Sequence, residues 1–165
     1  GGGRVDQLVS LVDLPATLLD AAGIDRPDTF EGRSLVPIVQ RDAKALSDWP
    51  EEMYVQVSES NWGRAVRTRR WKYIVQDFER GHFQSEGFDG SHDRLVEAEL
   101  YDLQHDPHEL TNLITSDAHT PVREVMRGRL LRRMEALNEP LPTIIEPEGV
   151  GPMVQRVVTE AEACA

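Results

Sequence analysis

The stretch "ELYDLQHDPHELTNLI", residues 99–114, decides how this chain reads. Residues 99–103 alternate polar and apolar side chains, the period of a half-buried strand. Asp106-Pro107 then stops the strand. Proline fixes φ and removes an N–H, and an aspartate beside it can accept bonds from the amides that follow. Glu109 is placed to cap free N–H groups of the next turn, and Leu113 to pin that turn on an apolar surface. Two carboxylates this close also raise a chemical reading, in which Asp106 and Glu109 form a metal or acid/base pair. Turn chemistry already accounts for both residues, so the stretch is expected to be structural.

Further strands are predicted upstream. "MYVQVSES" (53–60) alternates and is rich in β-formers. "GRAVRTRRWKYIVQD" (63–77) reads as two strands, 64–68 and 71–76, about a basic turn at Arg69-Arg70. Residues 78–97 are rich in Gly and charge and read as a loop, long for a compact domain. Downstream, Val122, Val125, Met126, Leu130, Met134 and Leu137 recur near helical spacing, with Thr120 as the expected N-cap and Pro121 as the first helical residue. The basic residues of this helix are expected on its solvated face. The tail from Pro140 carries four prolines and is expected to run extended across a surface.

At the other end, residues 8–12 read as a short strand. Asp13 is the expected N-cap and residues 14–22 the helix, with Pro15 in its first turn and Gly23 closing it. Ser34 is placed to cap a short helical turn after the loop 25–33. This strand–helix does not belong to the antiparallel meander, and a lone strand needs a sheet to join. The expected class is α+β: the terminal strand–helix of a larger α/β domain over residues 1–50, then a small four-stranded antiparallel sheet packed with a C-terminal helix over 51–140, then an extended tail over 141–165.

Composition narrows the function. The 165 residues carry a net charge of −11, a poor balance for holding nucleic acid or an anionic membrane, which need clustered Lys and Arg. No apolar run reaches the length of a membrane span. The one cysteine, Cys164, excludes an internal disulfide and a cysteine-based zinc site, and leaves the compartment open.

Three motifs in order resemble the C-terminal region of the sulfatase (arylsulfatase-like) family, among the alkaline-phosphatase-like hydrolases. "LVSLVDLPATLLDAAGI" with "FEGRSLVPIV" is similar to the family's apolar strand, Asp–x–x–Pro–Thr, Leu-rich helix and later Asp/Glu-Gly-x-Ser-Leu, although Pro15-Ala16-Thr17 separates the Pro from the Thr. "RAVRTRRWKYI" resembles its basic strand pair, and "ELYDLQHDPHELTNL" its closing Glu-Leu-Tyr-Asp-Leu motif. The likeness spans about residues 5–137. It implies a parent enzyme that cleaves sulfate esters of a small molecule or glycan, using a formylglycine made from Cys/Ser-x-Pro-x-Arg and a calcium held by oxygen ligands. Phosphodiesterases and phosphonate-ester hydrolases share the architecture and are the alternative. A non-catalytic module binding a glycan or protein is the rival from another class.

The resemblance transfers no catalytic residue and no metal ligand to this chain. Cys164 precedes only Ala165, so it cannot start the modified motif, and the nucleophile and metal set are expected in an N-terminal catalytic domain, which would be this segment's partner. His82, His92, His105 and His108 match no ligand spacing and are expected to be solvated. Asn61, Trp62 and Arg64 at the first strand turn, with His82, are the candidates for substrate contact: a Trp can stack on a sugar or aryl group and an Arg can fork an anion. The competing reading has Trp62 covering the sheet edge and Arg64 paired with one of the many acids. Trp71 and Tyr73 alternate with Lys72 and are expected in the core.

Overall fold

A computed structural model describes residues 3–57, 62–77 and 94–147. The chain divides into two compact units, residues 1–53 and 54–165.

The first unit is built on helix α1 (Asp13–Ala21), followed by the short helices α2 (Val36–Val39) and α3 (Ala43–Ser47). Asp13 lies inside the first turn rather than capping it. Its carboxylate accepts the Ser10 N–H at 2.8 Å and the Arg33 N–H at 2.9 Å. One turn on, Thr17 Oγ1 donates to the Asp13 carbonyl and accepts the Leu35 N–H. Another turn on, the Ser34 hydroxyl donates to Asp20. Residues 13, 17 and 20 share one helical face, so α1 grips the 33–35 loop through polar groups. The loop passes so close that a Cβ on Gly32 would sit 1.8 Å from the Val12 carbonyl oxygen. Trp49 closes the unit, its indole N–H donating to the Leu8 carbonyl at 2.7 Å. Asp42 caps α3 by accepting the Ala45 N–H, a helix that hydrophobic periodicity did not reveal.

The expected strand over 8–12 does not form among the described residues. Residues 3–10 have no regular structure, and 11–12 make the turn into α1. The physical reason is the one that made the strand an orphan: a strand exists only with a neighbour to take its N–H and C=O groups.

The second unit holds one sheet in the order β1-β2-β3-β4-β5. Its strands are β1 (Glu52–Val57), β2 (Trp62–Thr68), β3 (Trp71–Asp77), β4 (Arg94–Asp102) and β5 (Thr143–Ile145). β2 with β3 and β3 with β4 are antiparallel, and β5 runs parallel to β4. The α+β class and the antiparallel meander stand; the count of four strands is one short. The fifth comes from the proline-rich segment, where Thr143, Ile144 and Ile145 are two β-branched aliphatics after a threonine, too short a run to signal a strand by period. β4 is also longer than expected, starting at Arg94, inside the stretch read as loop.

A bulge explains part of that. Ile74 pairs with Glu99 but Val75 with Glu97, so Ala98 is skipped. Strand residues alternate faces with period two, and one extra residue flips the parity. That shift lets Leu95 and Leu100, of opposite parity, both reach the core. α4 (Thr120–Ala136) lies against β2 and β3. Its Met126, Leu130 and Met134 pack with Val66, Tyr73 and Val75, and Trp71 adds partial cover. His119 rather than Thr120 is the N-cap. Among the described residues no helix is long and apolar enough to cross a membrane.

Candidate functional site

The polar turn after β4 gathers several chemistry-bearing side chains. Asp102, the last strand residue, receives Arg70 through both Nε (3.1 and 3.2 Å) and Nη2 (2.8 Å). It also receives the Gln104 N–H and lies 2.9 Å from His105 Nδ1. The Arg70 hydrogen bonds hold the Asp102 carboxyl well below the usual carboxylate range, with His105 and the Gln104 amide adding to the effect. Arg70 in turn stacks over the Trp71 ring at 4.8 Å.

Asp106 turns back on its own loop and accepts the Thr111 N–H at 2.8 Å. Backbone N–H groups of Leu110 and Thr111 keep its carboxyl below the usual range. Glu109 does not cap the next turn as expected. It adopts φ +56° and aims its carboxylate back at the sheet, where Oε2 lies 2.6 Å from Lys72 Nζ. The left-handed conformation of this non-glycine residue turns the side chain away from the amides downstream.

Asn112 is the residue that ties the turn down. It is 6% exposed. Its Oδ1 accepts the Leu100 and Ile114 N–H groups, each at 3.0 Å, and its Nδ2 donates to the Ala98 carbonyl at 2.8 Å. The Leu113 N–H then donates to the Leu100 carbonyl. Beyond residue 96 β5 no longer pairs with β4, and residues 112–113 take over as a surrogate strand that satisfies the bulged edge. Asp102, Asp106, Glu109 and Asn112 thus each have a partner within the sheet or the turn.

Two charge networks brace the sheet, and the first was not foreseen. Glu97 is fully buried (0% exposed) and meets Tyr73 OH (2.8 Å), Arg127 Nε (2.9 Å) and Nη2 (2.8 Å), and Arg123 Nε (3.4 Å). Arg123 and Arg127 therefore face inward, contrary to the expectation of a solvated basic face. Their four-residue spacing beside Met126 and Leu130 was the available signal. Burial and the Glu97 charge raise the Tyr73 phenol far above its ordinary value. In the second network, Glu139 accepts the Tyr54 hydroxyl at 2.7 Å and Arg64 Nε at 2.8 Å.

Of the substrate-contact candidates, Arg64 is buried in that ion pair and Trp62 is half-buried at the start of β2. Asn61 and His82 lie outside the described residues, as do His92 and Cys164. His105 is largely exposed on Asp102, and His108 is exposed. His119 is engaged with Ser116 Oγ at 2.8 Å and meets the Trp71 ring edge-on. Trp71 and Tyr73 are core residues, as expected. Among the described residues no three His, Cys, Asp or Glu side chains converge as metal ligands. The carboxylates of the turn are instead engaged with Arg70, Lys72 and backbone amides. They do not fit a calcium, and the chain holds no Cys/Ser-x-Pro-x-Arg from which a formylglycine is made.

Residues 1–136 match the family described as N-sulphoglucosamine sulphohydrolase, C-terminal. The chain is 30% identical over 112 residues to an N-acetylglucosamine-6-O-sulfatase of Bacteroides thetaiotaomicron, an alignment covering 67% of this chain and 18% of that protein. A solved structure in complex with its substrate D-glucosamine-2-N,6-O-disulfate superposes with TM-score 0.60 at 21% identity, covering 76% of this chain and 24% of the other. The phosphonate monoester hydrolase of Agrobacterium radiobacter shares the fold, with TM-score 0.57 at 22% identity over 92% of this chain and 30% of that one. The chain spans less than a third of the length of each.

Proposed function

Because the chain belongs to the N-sulphoglucosamine sulphohydrolase C-terminal family, we propose that it is the C-terminal part of a sulfatase-like hydrolase that cleaves sulfate esters. The observation that carries this reading is the family match over residues 1–136, whose motifs the structure knits into one sheet and one helical unit. The chain completes the fold of the enzyme and forms one wall of the substrate cleft. Residues 1–50 are the end of the large domain, 51–140 the sheet subdomain with its helix, and 141–165 a tail that includes β5.

The nucleophile and the cation come from a catalytic domain outside residues 1–165. Formylglycine and calcium would supply there the nucleophile and the polarisation of the sulfate, and no step of that chemistry runs through the residues described above. The substrate is a sulfated small molecule or glycan. Trp62, at a strand start and half-buried, is the described residue placed to offer a ring to it; Asn61 and His82 complete the proposed contact set. Arg64 keeps its charge on Glu139 and serves this wall by holding the sheet to the chain after α4.

The reading frame that contains this segment is the test. A Cys/Ser-x-Pro-x-Arg motif upstream is expected. A threonine nucleophile in its place would assign the protein to the phosphodiesterase and phosphonate-ester relatives, and no hydrolase domain at all would leave a binding module.

A further inference from the structure

The β2–β3 hairpin concentrates positive charge that the fold does not use. Residues 67–72, Arg-Thr-Arg-Arg-Trp-Lys, hold four cations and no acid. Arg67 on β2 lies directly across from Lys72 on β3. Like charges facing each other on neighbouring strands are destabilising. Two of the four cations are neutralised, Lys72 by Glu109 at 2.6 Å and Arg70 by Asp102 at 2.8 Å. Arg67 and Arg69 are exposed, and among the described residues no acid or hydrogen-bond partner meets either side chain. Arg70 spends only Nε and Nη2 on Asp102, so its Nη1 is left over. The turn that carries these groups is braced. The Trp71 N–H donates to Thr68 Oγ1 at 2.9 Å, the Leu103 N–H donates to the Arg70 carbonyl at 2.7 Å, and the Arg70 guanidinium lies over the Trp71 ring. Consecutive Cα atoms are 3.8 Å apart, so no two of residues 67–70 stand more than about 11 Å from each other. A guanidinium presents a planar fork that matches the oxygens of an oxyanion.

We propose that Arg67, Arg69 and Arg70 form a binding site for sulfate groups of a sulfated glycan chain. The site stands at the Thr68 end of β2, six residues and so about 20 Å along the strand from Trp62. It therefore takes sulfates on a stretch of the glycan other than the one offered to Trp62. Charge decides between a glycan and nucleic acid. The hairpin carries +4 of the net −11, which leaves −15 on the other residues (−11 less +4). A long polyanion would run from the hairpin onto that acidic surface and be repelled, whereas a glycan of a few sugars fits on the hairpin end alone. The choice of a sulfated ligand rests on the reading of the parent as a sulfatase.

The test is the binding of a heparin hexasaccharide to the full-length polypeptide by titration calorimetry. Arg67→Ala with Arg69→Ala is expected to raise the Kd at least tenfold and to flatten its dependence on salt, as fewer counterions are released. The melting temperature should not move, because neither side chain has a partner to lose. Lys44→Ala with Arg132→Ala removes the same charge from two exposed positions elsewhere and is expected to leave the Kd within about twofold. A parent that does not bind the hexasaccharide, an unchanged Kd in the hairpin variant, or equal weakening in both variants would each overturn the proposal. So would a single-stranded DNA oligonucleotide of equal charge bound as tightly, since the site would then read charge alone. If the double variant melts lower, Arg69→Ala by itself carries the test: a Kd raised at least threefold is expected, and an unchanged Kd overturns the site. Sulfate release by the parent from an aryl sulfate is read separately. Binding lost on the hairpin substitutions, in a protein without sulfatase activity, would keep the site and discard the sulfatase reading; activity in the parent with binding untouched by the substitutions would do the reverse.

Discussion

Replacing Asn112 by alanine removes the one side chain that closes the free edge of β4. Three partners lose their bonds at once: the Leu100 and Ile114 N–H groups and the Ala98 carbonyl. The site is buried, so each group left without a partner costs about 1–3 kcal/mol. The sum runs from about 3 to about 9 kcal/mol. A water entering the space left by the amide restores part of it, which puts the expected loss at the low end, about 3 kcal/mol. That is a large share of the roughly 5–15 kcal/mol that holds a domain folded. Asn112→Asp is the discriminating control. It keeps an acceptor for the two N–H groups but sets a second oxygen against the Ala98 carbonyl, so it too should lose more than about 1 kcal/mol at neutral pH. The assay is urea unfolding of residues 1–165, comparing midpoints at unchanged slope. A loss below about 1 kcal/mol for Asn112→Ala, or an aspartate variant as stable as the parent, would refute the surrogate-strand argument.

Gly32→Ala places a methyl group 1.8 Å from the Val12 carbonyl, a main-chain atom that cannot swing aside, so α1 should lose its hold on the 33–35 loop at a cost of about 4 kcal/mol or more, read from the amide protection of α1 by NMR. Glu97→Ala leaves Arg123 and Arg127 facing each other without a buried counter-charge and should cost about 3–5 kcal/mol in a denaturant melt. Asp102 has a folded carboxyl held below its unfolded value, so its contribution is complete above about pH 4 and fades as pH falls toward the folded value. Asp102→Asn should therefore be less stable than the parent at pH 7, with the gap between them narrowing below about pH 4 in melts across pH.

Local signals carried much of this fold. The alternation of residues 99–103, the Asp106-Pro107 stop and the spacing of Met126, Leu130 and Met134 are short-range patterns, and the strands and α4 follow them. What escaped is what depends on distant partners. The bulge at Ala98 exists because Leu95 and Leu100 must reach one core, which no local window of β4 reveals. Glu97 reads as the last residue of a charged loop until two arginines arrive from a helix some thirty positions away. Glu109 was expected to cap its own turn and instead reaches 37 positions back to Lys72. The strand at 8–12 was legible as a tendency and did not form, since no neighbouring strand among the described residues takes its N–H and C=O groups. Among the site candidates, Arg64 had both readings open in the sequence; only the placement of Glu139 shows which acid it meets.

We propose these residues as the non-catalytic end of a sulfate-ester hydrolase. The most direct measurement is the release of sulfate from an aryl sulfate by the full-length polypeptide, beside a phosphonate monoester and beside residues 1–165 alone. Turnover of the sulfate ester by the full-length protein is expected, with slower turnover of the phosphonate and none of either by residues 1–165. Sulfate release by residues 1–165 that vanishes on mutating a residue of this segment would contradict it, and so would a full-length protein that hydrolyses only the phosphonate.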